Sequence, residues 1–283
     1  MSNDRRAELL GTAQAILEHL QLLLGGRICI PAQNAQNTTP AQRAEMDTSE
    51  VPQVPPRKDN RRRLQLDVST LVPMASIFEQ QGDFLAAQSL DELYQCIHTC
   101  TKCPLGTMRT NFVFGTGNPS ADIVFIGEAP GADEDLKGEP FVGRAGQLLT
   151  KILAAINLER SDVYICNILK CRPPNNRTPQ PSEIEQCKPY LYKQLSLIEP
   201  TFVVALGLTA AETLLGRKLK MSRVRGEWFD FYGARLLITY HPAALLRNPE
   251  LKRDSWEDVQ KLRRAYDEFL RSGVLPEPIG HVE

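Results

Sequence analysis

The stretch from Ile123 to Gly143 constrains this chain more than any other. It opens with the apolar run Ile123-Val-Phe-Ile126, which reads as a buried strand. The chain then turns polar, with glycines at 127, 131, 138 and 143 and prolines at 130 and 140. Glycine lets the backbone take positive φ and lets another molecule approach the main chain closely. From Arg144 to Ile156 apolar residues return at helical spacing. Strand, glycine-rich loop and helix is the layout in which α/β proteins bind ligands beyond the carboxyl ends of their strands. The loop lacks the lysine-serine/threonine ending of a phosphate loop and carries carboxylates instead. Glu128 and the aromatic Phe141 therefore suit a small, neutral, hydrogen-bonding ligand.

The rest of the chain repeats the alternation. Strands are expected at 122–127, 162–168, 201–206 and 235–240, and helices at 144–156, 181–198, 208–215 and 254–271. Trp228 to Tyr240 reads as a hairpin around Gly233 that feeds the last strand. Such alternation predicts a three-layer α/β/α sandwich around a short, mostly parallel four-stranded sheet. Ahead of it, an N-terminal helix is expected over 1–28, a disordered polar linker over 29–65 and a poorly defined connecting segment over 66–88. Ser89 and Glu92 form a capping-box pattern that opens the domain, expected to span 89–273, with a C-terminal tail over 274–283.

Bulk charge excludes little, because the 283 residues carry a formal net charge of −1. Charge is unevenly spread, however: Arg217 to Arg264 holds 12 Lys+Arg against 6 Asp+Glu, a polyanion footprint or a solvated basic face. No apolar run approaches the roughly 18 residues of a membrane span. Met1 to Glu18 is too polar for a signal core, so a cytoplasmic, monomeric chain with reduced or metal-bound cysteines is expected.

Of the seven cysteines, Cys100 and Cys103 are two residues apart, and Cys171 and Cys187 follow some seventy residues on. A two-residue spacer lets two thiolates reach one metal centre. A structural zinc and an iron–sulfur cluster both accept four thiolates, and the wide gap between Cys171 and Cys187 favours a cluster. Cys166 reads as packing, Cys96, four residues before Cys100 on one helix face, as packing or a decoy ligand, and Cys29 lies at the linker edge.

His241 follows the last expected strand and so lies at the same sheet edge as the glycine-rich loop. Asn167 ends the second strand there, and its amide offers both a donor and an acceptor. Leu245 and Leu246, read as exposed beside Arg247, resemble a wedge that enters a DNA groove and unstacks a base.

From about Cys100 to Leu270 the chain resembles the iron–sulfur-containing family 4 uracil-DNA glycosylases. The resemblance rests on Cys100-x2-Cys103, Gly127-Glu-Ala-Pro-Gly131 with Glu134-Asp135, Pro140-Phe-Val-Gly143, Asn167, Cys171-x15-Cys187 and His241-Pro-Ala-Ala-Leu-Leu-Arg247. It implies a 4Fe–4S cluster on Cys100, Cys103, Cys171 and Cys187, and uracil flipped from DNA into a pocket. Phe141 would stack on the base and Asn167 would read its Watson–Crick edge. The Gly127-Glu128-Ala129 backbone would lie close to it, and Glu128 and Glu134 would shape the pocket. His241 would stabilise negative charge on uracil O2. Ala129 cannot orient water, so Glu128, Glu134 or an unassisted water remains as the route to hydrolysis. The Arg172–Pro179 loop contains no histidine, unlike that of a sister branch that cross-links to its DNA. The rival readings are a non-enzymatic iron–sulfur nucleic-acid-binding module and a zinc-stabilised nucleoside hydrolase. The N-terminal hundred residues inherit nothing from the resemblance; their helix is expected to bind a protein partner.

Overall fold

The computed structural model describes residues 84–280. The helix expected over 1–28, the linker over 29–65 with Cys29, and most of the 66–88 segment lie outside the described residues.

Six strands form one sheet: β1 (Thr116–Gly117), β2 (Ile123–Gly127), β3 (Tyr164–Asn167), β4 (Phe202–Leu206), β5 (Trp228–Phe231) and β6 (Ala234–Thr239). Their order is β1-β3-β2-β4-β6-β5. The central four are parallel, and they are the four strands that the alternation predicts. The two edge strands, β1 and β5, pair antiparallel. Strand β5 is the first arm of the expected hairpin; β1, only two residues long, has no sequence pattern to announce it.

The helices are α1 (Leu90–Ile97), α2 (Leu105–Met108), α3 (Ala132–Lys137), α4 (Arg144–Ala155), α5 (Pro181–Ile198), α6 (Leu208–Leu215), α7 (Met221–Val224), α8 (Pro242–Arg247) and α9 (Leu251–Ser272). One sheet face carries Val124, Ile126, Cys166, Val203, Ala205, Leu236 and Ile238. These pack with Leu93 and Ile97 of α1, Tyr190, Leu191 and Leu195 of α5, and Ala210, Ala211 and Leu214 of α6. On the opposite face α9 sets the Tyr266 and Phe269 rings edge-on to Phe202, at 6.1 and 5.9 Å. Arg263 of α9 reaches the carbonyl of Ile156 just past α4, at 3.5 Å. Alternation of strand residues between two helical layers thus gives the three-layer sandwich.

Residues on both sides of 89–273 make contacts with the sheet and helices. Phe84 is buried and meets Tyr190 edge-on at 4.9 Å, so packing starts before Ser89. Ser89 accepts the Glu92 amide at 3.2 Å, while the Glu92 carboxylate takes the N–H of Gln88 rather than that of the cap residue. The described end of the tail pairs with β5. Ile279 donates to Trp228 and Asp230 donates to Gly280, both at 2.8 Å, covering the open edge of β5.

Register positions the site. Gly127 is paired with Asn167 and Leu206 with Thr239, so the carboxyl ends of all four parallel strands finish level. The segments that follow carry Glu128, Lys170, Gly207 and His241 to one edge.

Candidate active site and cysteine site

A cleft of about 840 Å³ opens at that edge, lined by Glu128, Ala129, Phe141, Asn167, Tyr240 and His241 among others. Gly127 packs against two of these residues, Asn167 and Phe141. A Cβ there would stand 2.3 Å from Asn167 Oδ1 and 2.5 Å from Phe141 Cζ, so only glycine fits between the two. Asn167 is buried, and its Oδ1 has no hydrogen-bond partner. An orphaned buried carbonyl oxygen costs stability unless a ligand completes it. Phe141 is buried with φ of 55°, a conformation that a bulky side chain adopts only under constraint.

The constraint on Phe141 is visible. Arg160 donates to the carbonyls of Pro140 at 2.9 Å and Phe141 at 3.2 Å. Glu134 clamps the loop from the other side. Its carboxylate accepts the N–H groups of Val142 and Gly143 at 2.9 Å and of Gly131 at 3.1 Å. The region read as a continuous loop contains the short helix α3, which Gly131 caps and which sets Glu134 in this place. Three backbone bonds occupy Glu134 with holding the loop, whereas no side-chain hydrogen bond among the described residues engages Glu128. No pattern in the sequence pointed to Arg160, since it sits in a surface turn with no motif around it.

His241 caps α8. Its Nδ1 accepts the Ala243 N–H at 3.1 Å, which leaves Nε2 as the protonated nitrogen of the neutral ring. Burial, and then the Arg247 charge, push its pKa down to about 4. The imidazole is therefore neutral near pH 7, with an N–H donor to offer. Its ring centroid lies 5.4 Å from that of Phe141. Strand β6 is pinned just before it: Thr239 donates to buried Asp258 at 2.7 Å, and Arg225 holds the same carboxylate at 2.9 Å.

The expected wedge needs one correction. Leu246 is 38% exposed, but Leu245 is buried at 2%. The segment is helix α8, and successive residues of a helix point about 100° apart, so adjacent leucines cannot both face outward. Leu245 belongs to the core, leaving Leu246 and Arg247 exposed. The basic excess of 217–264 is also largely spent inside the domain, with Arg225, Arg235, Arg253 and Lys261 each facing carboxylates. Lys220, Arg223 and Arg247 carry no ion pair among the described residues.

On the other side of β3 the four cysteines come together. Cys100 follows α1, Cys103 precedes α2, Cys171 follows β3, and Cys187 lies in α5. Each sulfur receives a donor. Tyr190 O–H points to Cys100, Arg109 to Cys171 and the Lys170 N–H to Cys187, all at 3.4 Å. The amides of Leu105 and Gly106 serve Cys103. Burial pushes the bare thiols of Cys171 and Cys187 up to about 11 and 12. Donors trained on every sulfur suit thiolates far better than thiols, which are weak acceptors. Among the described residues no three His, Cys, Asp or Glu side chains converge as a single metal ion would need. Cys166 is fully buried in β3, and Cys96 packs against the core, as the sequence led one to expect.

Comparison with known proteins agrees with this geometry. Residues 114–263 match the Uracil DNA glycosylase superfamily. The chain is 49% identical over 183 residues to the type-4 uracil-DNA glycosylase of Archaeoglobus fulgidus, covering 62% of this chain and 92% of that protein. It is 49% identical over 171 residues to the type-4 uracil-DNA glycosylase of Thermotoga maritima, covering 59% and 89%. A type-5 uracil-DNA glycosylase of Pyrobaculum aerophilum is more distant, at 33% over 147 residues, covering 46% and 64%. Family match, identity and coverage together show that the chain belongs to the type-4 uracil-DNA glycosylases of the uracil-DNA glycosylase superfamily.

Proposed function

We propose that this chain hydrolyses the N-glycosidic bond of deoxyuridine in DNA, releasing uracil and leaving an abasic site for base-excision repair. The observation that carries the reading is the trio of Phe141, Asn167 and neutral His241 around one cleft, with an orphan oxygen on Asn167. A flipped uracil would stack on Phe141. Its N3–H would complete Asn167 Oδ1, and its O4 would accept from the amide nitrogen. As the bond to the sugar breaks, charge gathers on uracil O2, and His241 Nε2–H is the donor suited to it. A neutral donor needs no counter-ion and no proton from solvent. Glu128 is the carboxylate left to assist water or to steady the positive sugar. Glu134 acts as the clamp of the loop.

The four cysteines support a 4Fe–4S cluster as resident group. Cys100, Cys103, Cys171 and Cys187 would hold it, and its contribution is to fold, joining α1, the segment after β3 and α5 at one point. The chemistry above uses none of it. Leu246 and Arg247 would occupy the gap left in the base stack. The protein would act as a monomer in the cytoplasm. No helix among the described residues is long and apolar enough to cross a membrane.

Incubating the full chain with uracil-containing oligonucleotides and measuring free uracil tests the reading. Release of uracil with alkali-labile sites is expected. DNA binding without release would favour the non-enzymatic alternative, and zinc in place of iron and sulfide would favour the nucleoside-hydrolase alternative.

A further inference from the structure

Helix α7, with Lys220 just before it, is braced at both ends. The Leu219 N–H donates to Glu212 at 3.0 Å, and Arg225 donates to Asp258 at 2.9 Å. The Gly226 N–H donates to the Ile238 carbonyl at 2.8 Å, which sets the turn beside β6. Inside this frame the side chains are sorted. Val224 is buried, and Met221 lines the cleft together with His241 and Arg247. Lys220 and Arg223 are exposed. The Arg223 N–H donates to the Lys220 carbonyl at 2.8 Å, and residues three apart in a helical turn are neighbours, with about 5–6 Å between Cβ atoms.

Cations of this segment differ in their partners. Lys218 and Arg225 face carboxylates, at 2.8 and 2.9 Å. Lys220 and Arg223 form no ion pair among the described residues, so a braced turn presents two uncompensated charges. The cleft itself is uneven. The carboxylates lining it, Glu128, Asp133 and Glu134, all follow β2. Helix α7 stands at β6, two strand spacings across the sheet, about 10 Å. A phosphate backbone is repelled along the first wall and attracted along the second.

We infer that Lys220 and Arg223 grip neighbouring phosphates of the DNA strand that carries the uracil. The inference rests on the glycosylase reading proposed above and adds a contact surface to it. A flipped nucleotide stays bonded to its own strand, so the phosphates beside it lie at the rim of the cleft that takes the base. The turn therefore differs from Leu246, which acts in the duplex stack. Its grip serves single-stranded and duplex DNA alike, and all sequences alike, because phosphates carry no sequence information.

The test measures binding of the full chain against salt concentration, on oligonucleotides carrying a tetrahydrofuran abasic-site analogue that cannot be cleaved. Each phosphate contact adds about 0.7 on a single strand, and about 0.9 on a duplex, to the slope of log affinity against log salt. Lys220→Gln combined with Arg223→Gln should therefore lower the slope by about 1.4 on single strands and about 1.8 on duplexes. Lys218→Gln removes an exposed charge of the same segment that already has a partner, and it should leave both slopes as they are. An unaltered slope in the double variant, a change confined to duplexes, or an equal change in Lys218→Gln overturns the inference. Uracil release by the wild-type protein is followed in parallel. Release together with wild-type slopes in the double variant rejects the grip alone, whereas no release rejects the glycosylase reading and the grip with it.

Discussion

The cleft and the cysteine site flank β3, four residues apart between Asn167 and Cys171, and they treat polar groups in opposite ways. In the cleft Asn167 Oδ1 is left without a partner, and Phe141 is held in a left-handed conformation by Arg160 and Glu134. At the cysteines each sulfur already has a donor. A site that must accept and release a ligand at every turnover keeps valences open and spends stability on doing so. A site that binds its group once closes its valences around it. Mutations should accordingly divide by region: those at the cysteines should remove the domain, and those in the cleft should remove activity from a folded protein.

Cys171→Ala should have the largest effect. Loss of one ligand is expected to remove the visible colour and the soluble folded domain together, since metal binding and folding are coupled. Thermal melting and iron content check this; a colourless variant melting at the wild-type temperature would break the contrast between the two regions.

Asn167→Asp should fold normally but lose most activity on uracil. The carboxylate puts an acceptor against O4, where a donor is needed, and it offers the cytosine amino group a partner. Mismatch at a site built for hydrogen bonding costs on the order of 10⁴-fold. Uracil and cytosine release from paired oligonucleotides measures it, with a trace of cytosine release expected. Unchanged uracil turnover would take Asn167 out of the pocket.

His241→Ala should slow the single-turnover rate by about 10²–10³ in single-stranded, U:A and U:G substrates alike, with substrate binding nearly intact. The pH dependence follows from the same ring. Its folded pKa, about 4, lies below the ordinary histidine value. The unfolded chain therefore binds a proton first as pH falls, and the stability present above about pH 6.5 is lost progressively towards pH 4. Denaturant titrations between pH 7 and pH 4.5 should show a steeper fall for wild type than for His241→Asn. Equal slopes would place His241 in solvent.

Leu246→Ala should have the smallest effect and the only one that depends on context. Its defect should be worst on U:A, milder on U:G and near zero on single strands, where little stacking is broken. A loss equal in all three would make α8 a rigid wall of the pocket.

Most of this architecture was legible in the chain because it is local. Buried apolar runs marked the four parallel strands, and helical spacing marked α4, α5, α6 and α9 to within three residues. The residues around the cleft were legible for a related reason. Each follows the end of a strand, and a parallel sheet brings strand ends to one edge whatever their separation in sequence. Helix α3 was hidden because glycines and prolines surround it, and β1 because two residues carry no period. Leu245 was misjudged because outward or inward direction depends on the helical state of α8, which His241 and Pro242 start.

By itself, then, the sequence determined the order of strands and helices, the four cysteines with their spacing, and the chemistry available at Phe141, Asn167 and His241. Only the tertiary structure decided how those groups are poised. It turned Glu134 inward as a clamp, placed the proton of His241 on Nε2, left Asn167 Oδ1 unpaired and buried Lys170 between the two sites. The physical reason is that hydrogen-bond partners and desolvation come from residues far apart in the chain. A side chain's identity is written locally, whereas its charge state and its free valences are set by whatever the fold packs around it.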